Sequence, residues 1–251
     1  MSSDKPAFSP SQAEAPTISD EAAAHRSRAL VKIAAALFAG MLACLFVQAF
    51  HPVFWSTEGV DDVGFLPVAV QQRLDRNNTM LVLALLGGVT GVALAIGQGA
   101  GRGAWKTVLI AAAKCGVAAA LIGVVAGFVG HRTFEYCKTL PDVSDLSKAI
   151  VHNSAMLATL GGGIGLATGI FLGRSTRAAL EGLVRGLLAG FLTSLIYLLV
   201  VAALMPAAMT TVLLPLEIIE RLLWFGLFTG LLGALVVLPT PAQRGALPPA
   251  S

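Results

Sequence analysis

Six long apolar blocks, none carrying more than one charge, limit what this chain can fold into more than any other feature. They run over about 31–50, 79–97, 107–130, 155–173, 183–205 and 222–238. A helix of about 20 apolar residues crosses the hydrocarbon of a bilayer. Composition agrees: 56% of the 251 residues are hydrophobic and only 12% are charged, where a soluble domain carries about 25%. The mean hydropathy is +0.79. Lipid is therefore expected to be the main solvent.

Helices are the expected form of these blocks. Backbone surrounded by hydrocarbon must satisfy its own hydrogen bonds, and the blocks lack the alternation of a membrane barrel. Residues 1–30, rich in Ser, Ala, Pro and acidic types, bury too little to offset chain ordering and are predicted to be a disordered tail. They are too long and acidic for a secretory leader. Residues 239–251 form a second flexible tail, and 31–238 form the transmembrane domain.

The flanking charges orient the spans. Arg26, Arg28 and Lys32 precede the first, Arg102 and Lys106 share one short turn, Arg174 and Arg177 another, and Arg244 lies in the last tail. The longer loops, 51–78 and 131–154, mix basic residues with Glu58, Asp61, Asp62, Asp75, Glu135, Asp142 and Asp145. Both termini are thus predicted to be cytoplasmic, in a multi-pass protein of the plasma membrane. The basic residues flank apolar blocks instead of forming one dense run, so no nucleic-acid partner is expected. The basic turns instead suit anionic lipid headgroups. Cys44, Cys115 and Cys137 cannot form an even set of bridges. Free thiols are expected, with an intermolecular bridge through Cys137 as the alternative.

Two stretches, about 78–130 and 153–205, read alike. Each opens on Asn and a hydroxyl residue (Asn78-Thr79, Asn153-Ser154), then a glycine-rich span, a basic turn and a second span. Displaced by 74, Gly87, Gly91, Ala95 and Gly99 meet Gly161, Gly165, Gly169 and Gly173; the Asn pairs need 75, which one inserted residue reconciles. Two tandem parallel helical-hairpin repeats are predicted.

Small residues four apart line one helix stripe and let a neighbouring backbone approach closely. Gly182, Gly186 and Gly190, with Ser194, repeat this in the fifth span, Gly226 and Gly230 in the sixth, and Gly123 and Gly127 in the third. The fold class expected is an all-α membrane protein, a six-helix transmembrane bundle with glycine-ladder packing. A homo-oligomer or a membrane-protein partner is the expected use of such faces.

No catalytic set emerges. No span interior contains a histidine, Ser194 is the only serine deep in a span, and H-E-x-x-H is absent. His51, His131 and His152 fall at predicted outer span ends near acidic loops; they are the metal candidates should those ends converge, but their spacing fits no fixed ligand motif. No cofactor is expected. Lys114 stands about 12 Å into the third span by helix rise, where it is expected to snorkel. The alternative places it on a candidate polar path with Thr168, Ser194 and Tyr197. Glu181 and Arg185 are spaced for an intrahelical ion pair. These features favour a structural or accessory subunit, with a transporter or channel for a small neutral solute as the alternative.

Overall fold

A computed structural model of the chain describes residues 18–50, 67–99, 105–173, 175–204, 212–215 and 217–237, with the backbone alone at 18–29, 32 and 50. Six helices account for nearly all of them: α1 Ile18–Phe50, α2 Val68–Gly99, α3 Trp105–Lys138, α4 Asp145–Thr168, α5 Thr176–Leu204 and α6 Ile218–Val237. No strand occurs among the described residues. Five helices, α2 to α6, are long and apolar enough to cross a membrane, while α1 offers the shorter apolar stretch Ile33–Ala49. That stretch rises about 25 Å as a helix, slightly less than the roughly 30 Å of hydrocarbon.

The helices outrun the expected spans. α1 begins at Ile18, inside the segment expected to be a tail, because the run Glu21-Ala22-Ala23-Ala24 has high intrinsic helix propensity and needs no apolar face. α2 starts at Val68 and α3 continues to Lys138, so much of what read as loop is helix. Gln71, Gln72, Arg73 and Arg76 are acceptable helix formers in water, and a hydropathy pattern does not register them. Only 139–144 separates α3 from α4, and Ser144 caps α4 by accepting the Ser147 amide at 3.2 Å. α4 ends in a π-helical turn, Gly169–Gly173. The 1–17 and 239–251 tails lie outside the described residues.

Contacts between helices give the direction of each. Gly130 of α3 approaches Met156 of α4, and Gly163 approaches Ile122, so these two run antiparallel. Gly165 meets Gly182 and Gly161 meets Gly186, which makes α5 antiparallel to α4. Arg185, near the start of α5, reaches the Leu235 carbonyl at the end of α6. On α1, Gly40 faces Thr229 of α6 and Gln48 faces Arg221, the same antiparallel sense. Up and down therefore alternate throughout. The starts of α1, α3 and α5 share one end of the bundle, called here the near end, and their C-termini share the far end.

Neighbours in sequence touch around a closed ring, α1 to α6 and back to α1, while α2, α4 and α6 also touch one another across its centre. Among the described residues α1, α3 and α5 never meet. Three inner helices thus form a triangle with three outer helices in its grooves. Burial follows this division, at 44% to 50% of the most apolar window in α2, α4 and α6 against 33% and 39% in α3 and α5.

The outer helices present their large apolar residues outward: Phe38 and Leu45 on α1, Val117 and Leu121 on α3, Val184 and Leu199 on α5 are all exposed. Water penalises so much exposed apolar surface, and hydrocarbon does not.

Candidate functional site

Glycines stand at close approaches between helices. Between α4 and α5 the contact is reciprocal: a methyl group on Gly165 would strike the Gly182 carbonyl oxygen, and one on Gly182 the carbonyl of Gly165. Gly161 and Gly186 stand in the same relation. Gly190 sits against the Leu157 carbonyl, Gly169 has room for no side chain beside Ala178 and Ala179, and Gly173 abuts the Ala178 side chain.

Between α2 and α3, Gly87 lies on the Ala119 carbonyl, and a Cβ on Gly91 would stand 2.9 Å from the Cys115 carbonyl oxygen. Gly123 answers with the Leu83 carbonyl, while a Cβ at Gly127 would lie 2.6 Å from Met80 Cα. A Cβ at Gly99 would lie 2.8 Å from Val108 Cγ1. Moving the α2 contact residues Leu83, Gly87 and Gly91 by 74 gives Leu157, Gly161 and Gly165 of α4. Moving their α3 partners Gly123, Ala119 and Cys115 by 67 gives Gly190, Gly186 and Gly182 of α5.

The α6 glycines differ. Among the described residues a Cβ at Gly226 would meet nothing within 4 Å, and one at Gly230 would meet the end of Leu37, at 2.9 Å. The close contact between α1 and α6 is made by Gly40, which lies under the Thr229 side chain with the Phe225 carbonyl oxygen 3.1 Å from its would-be Cβ. Sequence reasoning passed over Gly40, although Ala36, Gly40 and Cys44 repeat the same spacing of four.

Polar side chains gather toward the far end. Each inner helix buries an adjacent pair there: Asn78 and Thr79 on α2, His152 and Asn153 on α4, Glu220 and Arg221 on α6. Local geometry satisfies most of them. Thr79 donates to the Asp75 carbonyl at 2.7 Å. Asn153 Nδ2 donates to the Ala149 carbonyl at 3.1 Å and lies 3.2 Å from His152 Nε2, whose Nδ1 is 2.9 Å from the Lys148 carbonyl. Neutral His152 with its proton on Nδ1 satisfies all these contacts at once. Arg221 donates to the Pro215 carbonyl at 2.8 Å and to Gln48 Oε1 at 2.9 Å, which ties α6 to α1. The Glu217 backbone carbonyl accepts the Arg221 amide as the helix begins, and Glu220 is buried. A cavity of about 280 Å³ opens beside this layer, lined by Phe134, Cys137, Lys138, Asp145, Lys148 and His152.

The four groups of the expected polar path do not come together. Lys114 is exposed on α3. Buried Thr168 donates to the Gly165 carbonyl at 2.9 Å. Ser194 accepts from Ser154 at 3.1 Å, and Tyr197 is buried one turn further along α5. Thr168 and Ser154 stand about 21 Å apart along α4 by helix rise.

Of the histidines, His51 lies outside the described residues, and His131 is buried on α3, its Nδ1 without a partner among the described residues. Among the described residues no three His, Cys, Asp or Glu side chains gather closely enough to hold a metal ion. All three cysteines are free and buried; Cys137 occupies the last turn of α3 and not a loop. Glu181 takes its ion pair from Arg177 at 2.9 Å, in place of the expected Arg185. Arg185 instead donates to the Leu235 carbonyl at 3.3 Å, where the last turn of α6 leaves carbonyls without helical partners.

Comparison with family models, with curated proteins and with solved structures finds no match to this chain.

Proposed function

We propose that this chain is a six-span protein of the plasma membrane with both termini in the cytoplasm, acting without catalysis as a structural or accessory subunit. The observation that carries the reading is how the centre of the bundle is filled. Trp224, Phe225, Phe228, Leu83, Leu86 and Leu157, from α2, α4 and α6, are fully buried in one apolar cluster, and a core filled by such side chains leaves little room for a column of water.

Further support comes from α3. Exposed Trp105 and Tyr136 stand near its two ends, about 46 Å apart by helix rise, close to the 40–45 Å of a bilayer with its headgroups. Aromatic side chains favour those two interfaces. The alternation of helices supports α1 as a sixth crossing, its polar first turns extending beyond the lipid. The coincidence of contacts under shifts of 74 and 67 supports descent of α2–α3 and α4–α5 from one hairpin, and the glycine seams serve as the device that joins helices, within the chain or to a second membrane protein. The bilayer, a homo-oligomer or membrane-protein partner and anionic headgroups complete the set of partners; nucleic acid is not among them.

Copurification in mild detergent with quantitative mass spectrometry, followed by reconstitution in liposomes, tests this. A stoichiometric membrane partner or a defined homo-oligomer, with solute flux no faster than in empty liposomes, is the expected result. A lone protein that speeds passage of a small neutral solute would establish the second reading, transport. That alternative draws on the buried far-end polar layer and on Thr90 and Trp224, whose buried Oγ1 and Nε1 lack partners.

A further inference from the structure

A groove of about 620 Å³ runs between α1, α2 and α3, lined by Ala39, Ala84, Gly88, Ala93 and Ala120, with Phe38 at its rim. The lining is apolar throughout, so an occupant has no polar group at that depth. Along α2 it extends from Ala84 to Ile96, about 18 Å by helix rise. That length matches one leaflet of a hydrocarbon core about 30 Å thick, and falls short of what a spanning partner helix would cover.

The groove lies toward the near end, since Ile96 precedes the end of α2 at Gly99 by one turn. The same end holds the start of α3, with exposed Trp105 and Lys106. The α1 backbone carries Arg28 and Lys32 in the two turns before Ala35, the first α1 residue of the groove. An apolar slot about one leaflet deep, with exposed Lys106 at the same end of the bundle and Arg28 and Lys32 in the α1 sequence beyond it, matches an anionic phospholipid in both parts: hydrocarbon tail and charged head.

We propose that this groove holds one acyl chain of an anionic glycerophospholipid from the near-end leaflet, its phosphate held by Lys106 of α3. The inference rests on the membrane reading above and gives it a specific ligand. Basic charge at that end selects the headgroup, and the small side chains of the lining make room for the tail.

Native mass spectrometry of the full chain, purified in mild detergent and offered equal amounts of phosphatidylglycerol and phosphatidylcholine with identical tails, reads this directly. One phosphatidylglycerol retained per chain, at least fivefold over phosphatidylcholine, is expected. Ala93→Phe fills the groove and should cut retention at least fivefold, whereas Lys106→Glu should erase the headgroup preference. Equal retention of both lipids, unchanged retention by Ala93→Phe, or a small membrane protein recovered in place of lipid would overturn the proposal. Should Ala93→Phe fail to fold, phosphatidylglycerol with a photoreactive tail, applied to the unaltered chain, decides: label on peptides holding Ala39, Ala84 or Ala93 supports the site, and label elsewhere refutes it. Loss of the lipid leaves the need for detergent intact; a failed membrane reading would instead put native protein in the aqueous fraction.

Discussion

The seam between α4 and α5 runs on glycines four residues apart, whereas the seam between α1 and α6 closes most tightly on the single Gly40, and the two are built from different obstacles. At Gly165 and Gly186 the atom in the way is a carbonyl oxygen of the facing helix, which no substitution can remove. At Gly40 the nearest obstacle is the Thr229 side chain, and at Gly226 the described residues supply none. The spacing of small residues tells which face of a helix is narrow, but not whether a backbone, a side chain or nothing lies opposite. Backbone-to-backbone contact tolerates no added atoms, whereas side-chain contact can relax by rotamer change or be relieved by a second mutation.

The largest expected effect is that of Gly165→Leu or Gly186→Leu. Overpacking a tight core costs about 1–3 kcal/mol and occasionally more; here the added side chain meets backbone, so both variants should exceed that range and lose their melting transition in detergent. Next comes Gly40→Ala, expected to cost about 1–3 kcal/mol. Its distinguishing feature is rescue, because Gly40→Ala with Thr229→Ala should recover most of the loss in a double-mutant cycle. Arg221→Leu, which strands the Pro215 carbonyl and removes the link to Gln48, should cost roughly 1.5–3 kcal/mol, the worth of hydrogen bonds to a charged group. Gly226→Leu stands last, within about 0.5 kcal/mol of the unaltered chain, as a substitution away from tight contacts does. A larger loss for Gly226→Leu than for Gly40→Ala would break the comparison.

Much of the helix inventory could be read from the sequence because hydrocarbon imposes a simple pattern: blocks of the right length in α2 to α6 became helices long enough to cross. Their polar extensions could not, since Gln71, Gln72 and Arg73 belong to α2 by local propensity and carry no hydropathy signal. At Gly161, Gly165 and Gly169 both helices are narrow at the same level, so an added Cβ would meet backbone of α5. The α6 stripe misled for the converse reason, with the narrow face of Gly226 meeting none of the described residues. Adjacent buried polar pairs such as His152 and Asn153 were visible only as span ends; their burial depends on three inner helices meeting, a fact of tertiary packing. Arg185 was paired with its helical neighbour on spacing alone, whereas the exposed carbonyls of α6 compete for the same guanidinium.

The sharpest single measurement compares one methyl group at two places, Gly165→Ala and Gly226→Ala, melted in the same detergent. Alanine favours a helix over glycine by about 1 kcal/mol, so an unobstructed site should gain stability and an obstructed one should lose it. The account predicts opposite signs: a lower melting temperature for Gly165→Ala and an unchanged or higher one for Gly226→Ala. Equal shifts, or stabilisation by Gly165→Ala, would contradict the claim that α4 and α5 meet backbone to backbone through their glycines.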